Sequence, residues 1–155
     1  MIPDQLLRLA QNQAINGTGT VVTDAIDLDT VRDIGSGETL YVRVEFHTLY
    51  TQTSGGANIA LVYANDATLI DSPVTLSQLP FNSGGIPPAG SVYYLPIPPI
   101  AKDKVTIPGT VKKYFGVQWQ IYGATPTIAN GSWTVDIVTE TNRCEHTYTK
   151  GFTVQ

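Results

Sequence analysis

The chain has 155 residues, 42% of them hydrophobic and only 14% charged, with a net charge of −4. That length suits one domain with a substantial core, and the nine basic residues are scattered apart from Lys102/Lys104 and Lys112/Lys113, so the basic stripe of a nucleic-acid binder is missing. The single cysteine, Cys144, cannot form an internal disulfide, which fits a reducing compartment, and no run approaches the roughly 18 apolar residues of a membrane span.

Residues 4–12, DQLLRLAQN, are the one stretch with helical character: Pro3 and Asp4 suit a helix start, and Leu6, Leu9 and Ala10 share a helical face. Asp4 and Arg8 interrupt this apolar cluster, which is not the form of a secretory leader. Two turns of helix are too short to stand alone, so a docked helical arm is expected. NGTGT at 16–20 reads as a turn.

Strands follow. Thr20–Leu28 is the first, with Val22, Ile26 and Leu28 on one face and Asp24 interrupting it. In Thr39–His47, Leu40, Val42, Val44 and Phe46 alternate with Tyr41, Arg43, Glu45 and His47. A period of two gives one core face and one polar face. Asn58–Ala64 is apolar on both sides and therefore central. Ala67–Ile70 and Val74–Leu79 are short strands divided by Pro73. Ser91–Ile97 follows, with Pro96 marking an edge, since proline cannot donate to a ladder. In Tyr114–Tyr122, Phe115, Val117, Trp119 and Ile121 alternate with Gly116, Gln118 and Gln120. Ser132–Thr139 closes the series behind Asn130-Gly131, a turn signal. Trp119 and Trp133 fall on apolar faces and belong to the core. The sum is an all-β fold, an antiparallel β-sandwich or jelly roll of about eight strands with a short N-terminal helical arm. It forms a single domain over 1–155, with an arm at 1–19, a sandwich core at 20–139 and a C-terminal extension at 140–155.

Few residues suggest chemistry. His146 lies two residues from Cys144, which permits contact on a strand. No helix N-terminus is there to activate the thiol, and a near-terminal segment is a poor scaffold for a nucleophile. Asp24, Asp27, Asp29 and Asp33 offer oxygen ligands but lack calcium-loop spacing, and Arg32 would repel a cation. Glu45, Asp136, Glu140 and Glu145 are the carboxylates a glycosidase would need to set across a cleft. One Cys and two His cannot build a usual closed zinc site. Gly35-Ser36-Gly37 and Gly84-Gly85 lack the lysine and helix of a phosphate loop. No catalytic, cofactor or metal residue is expected, and the chain is expected not to be an enzyme.

Surface contact is the better reading. A surface poor in charge and rich in Thr, Ser, Asn, Gln, Gly and Tyr fits either a protein interface or an extracellular β-domain. The loops 82–90 and 96–109 are long and proline-rich, and Pro-Pro pairs lower the entropy lost on docking. Tyr93 and Tyr94 are adjacent, so one of them must face outward. Tyr148, Phe152 and Val154 alternate in a way that suits strand addition to a neighbour's sheet edge.

These residues carry a family resemblance. The chain resembles the small capsid cement, or decoration, proteins of short-tailed bacteriophages. The likeness lies in the Leu-rich arm Leu6, Leu7 and Leu9, then Gln13-Ala14-Ile15, Ile26-Asp27-Leu28, Arg32-Asp33-Ile34-Gly35-Ser36-Gly37-Glu38 and Leu40-Tyr41. It continues through Ile86-Pro87-Pro88-Ala89-Gly90, Tyr94-Leu95-Pro96-Ile97-Pro98-Pro99, Lys113-Tyr114-Phe115-Gly116-Val117 and Trp133-Thr134-Val135-Asp136, and so covers residues 1–139. The resemblance implies a jelly roll added to the exterior of an icosahedral shell, bridging neighbouring major capsid subunits. The partners it implies are the major capsid protein and a second copy of the chain, as a homodimer, with no nucleic acid, membrane, cofactor or metal. The protein would sit on the virion exterior and in the host cytoplasm during assembly. Interface candidates are Leu6, Leu7, Leu9, Pro87, Pro88, Tyr93, Pro98, Pro99, Tyr148 and Phe152. The rival reading is a carbohydrate-binding β-sandwich or a fibre-type receptor-binding domain, which needs exposed Trp or Tyr on a sheet face.

Overall fold

Among the described residues, alternating apolar and polar positions build ten strands in the computed structural model: β1 (Arg8–Gly17), β2 (Val21–Val22), β3 (Ile26–Asp27), β4 (Leu40–Phe46), β5 (Thr51–Gln52), β6 (Gly56–Ala64), β7 (Val74–Phe81), β8 (Val92–Pro96), β9 (Tyr114–Tyr122) and β10 (Ile128–Thr139). The structure describes residues 8–17, 19–27, 39–48, 51–52, 55–81, 87–98, 113–122 and 128–139. All strand pairs are antiparallel, in two sheets with the orders β1-β10-β4-β8 and β2-β9-β6-β7.

The two remaining strands extend existing positions. Phe46 of β4 faces Trp133 and Thr51 of β5 faces Ala129, so β4 and β5 line the same side of β10. Likewise Val21 of β2 faces Trp119 and Ile26 of β3 faces Phe115 on β9. Eight positions result, and counted along the chain they run 1-8-3-6 in one sheet and 2-7-4-5 in the other. This is jelly-roll order: one long hairpin, pairing first with last and so on inward, rolled into two facing sheets.

The core lies between the sheets. Val42, Val44, Phe46, Trp133, Val135 and Ile137 come from one sheet, and Ile59, Leu61, Phe115, Val117 and Trp119 from the other. Phe46 is central to an aromatic cluster, with ring centroids 5.6 Å from Trp119, 6.0 Å from Tyr93 and 6.4 Å from Trp133. Gln13 of β1 joins the sheets along one side. Its Oε1 accepts from Trp133 Nε1 at 2.9 Å and its Nε2 donates to the Val22 carbonyl at 2.6 Å. Phe81 and Tyr93, 5.2 Å apart, pack across the opposite side.

Several expectations are corrected, among them the turn at 16–20, whose first residues Asn16 and Gly17 belong to β1. The helix over 4–12 is not seen: residues 8–12 belong to strand β1, and residues 1–7 lie outside the described residues. The Leu9–Ala10 spacing looked helical because β1 is bulged, with register shifts at Arg8/Ala10 and Ala10/Gln13 and a positive φ of 47° at Asn12. Those bulges let adjacent Leu9 and Ala10 both be buried, and pairing with β10 supplies the tertiary support a two-turn helix lacks. The described part of the expected arm is therefore an edge position of the sandwich.

The strand over 20–28 is split into β2 and β3, because Asp24 N leaves the ladder to donate to the Leu9 carbonyl at 3.0 Å. This reverses the faces, so that Val21 and Ile26 join the main core while Val22 packs outside it. Ala67–Ile70 is a turn rather than a strand, organised by Asp66: the Leu69 amide donates to the Asp66 carbonyl, and the Asp71 amide donates to Asp66 Oδ1. Asn130-Gly131 is not a turn either. It runs inside β10, where Gly131 pairs with Ile15 of β1, just past the Ile128 and Ala129 that pair with β5. Other readings hold: β6 is buried along its whole length, both tryptophans are fully buried, and Pro96 lies on the edge strand β8.

Candidate functional site

The two outer faces of the sandwich differ in chemistry. On the β1-β10-β4-β8 sheet, the side chains opposite the core form a charged ladder. Arg8 Nε donates to Asp136 Oδ1 at 2.9 Å, and Arg43 reaches Asp136 Oδ2 at 3.6 Å and Glu45 Oε2 at 2.5 Å. His47 Nε2 lies 2.6 Å from Thr134 Oγ1, which also accepts from the Asn12 amide at 3.2 Å. Burial opposes the Arg43 charge, but Glu45 and Tyr94 outweigh it and hold the guanidinium above its ordinary pKa. The ladder is short-range and strand-crossing, so it locks the bulged β1 onto β10.

The outer face of the other sheet is divided. Around Gly116, Val62, Ala60 and Ala64 it is apolar and covered: Leu69 of the Asp66 turn is fully buried there, with Val22, Ala25 and Tyr114 packed against the cluster. The polar face expected for β9 is therefore partly interior. Gln118 is only 3% exposed, and its Nε2 donates to the Leu69 carbonyl.

Beyond Gln118 the same face carries amides. Gln120 Nε2 donates to Gln118 Oε1 at 2.6 Å, and Asn58 Nδ2 donates to both Gln120 Oε1 and Gln78 Oε1 at 3.2 Å. Asn58 is buried and its Oδ1 has no hydrogen-bond partner among the described residues. The face ends at Tyr122, which is 48% exposed and lies across Gly56. A Cβ at Gly56 would come within 2.5 Å of that ring, so the ring rests on the glycine backbone. Gly56, Asn58, Gln78, Pro80, Gln120 and Tyr122 thus form one neutral surface spanning β7, β6 and β9.

The expected interface residues do not gather at one place. Leu9 is a core residue at 2% exposure. Tyr93 packs inward against Phe46 and Phe81, while its neighbour Tyr94 takes the outer face beside Arg43. Pro87 is buried and Pro88 exposed, in a turn where Gly90, with φ of 81°, donates to the Phe46 carbonyl at 2.7 Å. Pro98 is half-buried just past β8. Leu6, Leu7, Pro99, Tyr148 and Phe152 lie outside the described residues.

Of the residues weighed for chemistry, Glu45 and Asp136 sit on neighbouring strands of one flat face, both committed to Arg43. Asp24 and Asp27 are exposed, and among the described residues no three His, Cys, Asp or Glu side chains cluster as metal ligands would. Asp29, Asp33, Glu140, Cys144, Glu145 and His146 lie outside the described residues.

Compared with known proteins, the chain matches no family model and no curated protein. The amide row at Asn58, Gln78 and Gln120 and the exposed Tyr122 were not singled out from sequence. Their signal was a strand whose polar positions, Gln118 and Gln120, are amides with no charge among them.

Proposed function

We propose that the chain is a structural virion protein, a capsid decoration or cement protein that binds the outside of an icosahedral phage shell and bridges neighbouring major capsid subunits. The observation that carries this reading is the jelly-roll order of the strands, which is the fold the resemblance over residues 1–139 implies. Jelly rolls serve repeatedly as capsid building blocks, although a fold alone does not assign a function.

The physics of the task agrees with the residues. A cement protein must not deform under load, and here two sheets close over an aromatic core with Gln13 tied to both. It must also hold several subunits at once, and modest contacts multiply through avidity. The contacts proposed are the residues before β1, including Leu6 and Leu7, the exposed Pro88 turn, the segment from Pro98 and Pro99 onward, and the C-terminal residues Tyr148 and Phe152. Leu9 and Pro87 are excluded from this set by their burial. The partners are the major capsid protein and a second copy of the chain, and the role needs no reaction, cofactor, nucleic acid or membrane. The protein would act on the capsid exterior after assembling there from the host cytoplasm.

Heat release of packaged DNA tests the stabilising role. Particles stripped of the protein and then given it back should release DNA at a higher temperature than stripped particles. Identical release temperatures would refute it.

A further inference from the structure

We infer that the neutral half of the outer face of the β2-β9-β6-β7 sheet is a binding platform for a neutral glycan. The inference goes beyond shell decoration and stands apart from it: either can fail without the other.

The argument starts from Tyr122 and Gly56. Because residue 56 has no side chain, the Cε2–Cζ–Oη end of Tyr122 occupies the space that a Cβ there would fill. The ring packs against the glycine on one side and is 48% exposed where the sheet face ends at Tyr122. A half-exposed tyrosine ring on a sheet face offers apolar surface for stacking on the C–H face of a pyranose. Stacking there adds to the area the ring buries.

Amides sit beside the ring at the right spacing. Asn58 and Gln120 are one strand position from Gly56 and Tyr122 on the same face, and Gln78 is one strand further. Neighbouring strands are about 4.8 Å apart, so the platform is about 10 Å wide and takes a sugar ring or two. Asn58 takes one lone pair of each glutamine carbonyl and Gln118 takes one Gln120 N–H, and the remaining amide donors and lone pairs suit vicinal hydroxyls.

The amides are also pre-organised. Asn58 spends both donor hydrogens on the carbonyls of Gln78 and Gln120, and Gln120 is held in turn by Gln118. This network fixes the two glutamines at little further entropy cost on binding. It leaves the buried Asn58 Oδ1 with no donor among the described residues, and an orphan buried acceptor is costly.

The ligand is neutral because the platform is. Gly56, Asn58, Gln78, Pro80, Gln120 and Tyr122 carry no charge, while the charged ladder of Arg8, Arg43, Glu45 and Asp136 belongs to the opposite sheet. A phosphorylated or uronic sugar would find no counter-ion here.

Native gel electrophoresis of the full chain through gels containing dextran, mannan or galactan tests this. At least one of these polysaccharides should retard the protein. The Tyr122→Ala variant should bind it about tenfold more weakly, Tyr122→Phe should bind nearly as well as the parent, and Gln78→Ala, at an exposed position, should also weaken binding. Val92→Ser on the opposite sheet should change nothing. Unretarded migration in all three gels, or retardation that survives both Tyr122→Ala and Gln78→Ala, would overturn the inference. So would loss of self-association in place of glycan binding in these variants, which would assign the face to a second copy of the chain.

Discussion

Leu69 sits directly on Gly116. A side chain at residue 116 would overlap the Leu69 methyl group, and Leu69 itself holds a φ of 58° while fully buried. Positive φ is a strained conformation for a bulky residue. The turn tolerates it because Asp66 binds the backbone on both sides of Leu69, and because the leucine fills the gap that the glycine leaves in the outer face of the sheet.

This contact predicts a specific coupling. Gly116→Ala should destabilise the protein by about 1–3 kcal/mol through overpacking, and Leu69→Ala by about 2–5 kcal/mol through cavity formation. In the Leu69→Ala background the added methyl at residue 116 should cost far less. Urea unfolding of the four proteins of the cycle measures it, and strict additivity would show that the two residues do not meet.

The turn should also open in acid. Thr68 and the amides of Asp71, Thr68 and Ile70 hydrogen-bond the Asp66 carboxylate, and they hold its pKa below the ordinary 3.8. A carboxyl with a depressed folded pKa contributes stability that is fully present above the unfolded value and is lost as pH falls through the folded one. Melting temperature should therefore stay flat in this respect above about pH 5 and fall below pH 4. Asp66→Asn should be less stable than the parent at neutral pH, with the gap closing toward pH 2. A gap that stays constant over that range would show that the carboxylate is not what holds the turn.

Gln13 is the polar rivet between the sheets. Gln13→Leu keeps the bulk but leaves Trp133 Nε1 and the Val22 carbonyl without this partner. A loss of about 1–3 kcal/mol is expected in chemical denaturation, together with a change in the fluorescence of a fully buried tryptophan. Unchanged stability would mean that water replaces the amide on both sides.

The charged ladder should matter for β1 more than for the fold as a whole. Asp136 serves both Arg8 and Arg43 and is 13% exposed, whereas Arg8 is 21% exposed. Asp136→Ala should cost about 1–3 kcal/mol, because it strands a partly buried guanidinium. Arg8→Ala should cost less, about 1 kcal/mol or below. Amide hydrogen exchange should accelerate in β1 first in both variants. Uniform acceleration across all strands would contradict a local clamp.

What could be read from the sequence followed the strength of local pattern. Thr39–His47 and Tyr114–Tyr122 keep strict alternation and appear as β4 and β9, with Phe46, Trp119 and Trp133 in the core as expected. The reading failed where tertiary contacts break the period. Bulges at Asn12 placed Leu9 and Ala10 side by side in the interior and imitated a helix. Asn130-Gly131 carries a turn signal, yet the pairing of β10 with β1 carries the strand through it. Leu69 looked like part of a strand because nothing local announces that Asp66 will bend the chain back over Gly116. The amide platform was hidden for a similar reason: Asn58, Gln78 and Gln120 are 20 and 62 residues apart in pairs with Asn58, and only strand register brings them together.

Co-sedimentation of the purified protein with expanded, undecorated shells of the source phage is the most direct measurement of the proposed role. Saturable binding at a fixed number of copies per shell is the expected result, weakened when residues 1–7 are removed. Protein that stays in the supernatant at every concentration would contradict it.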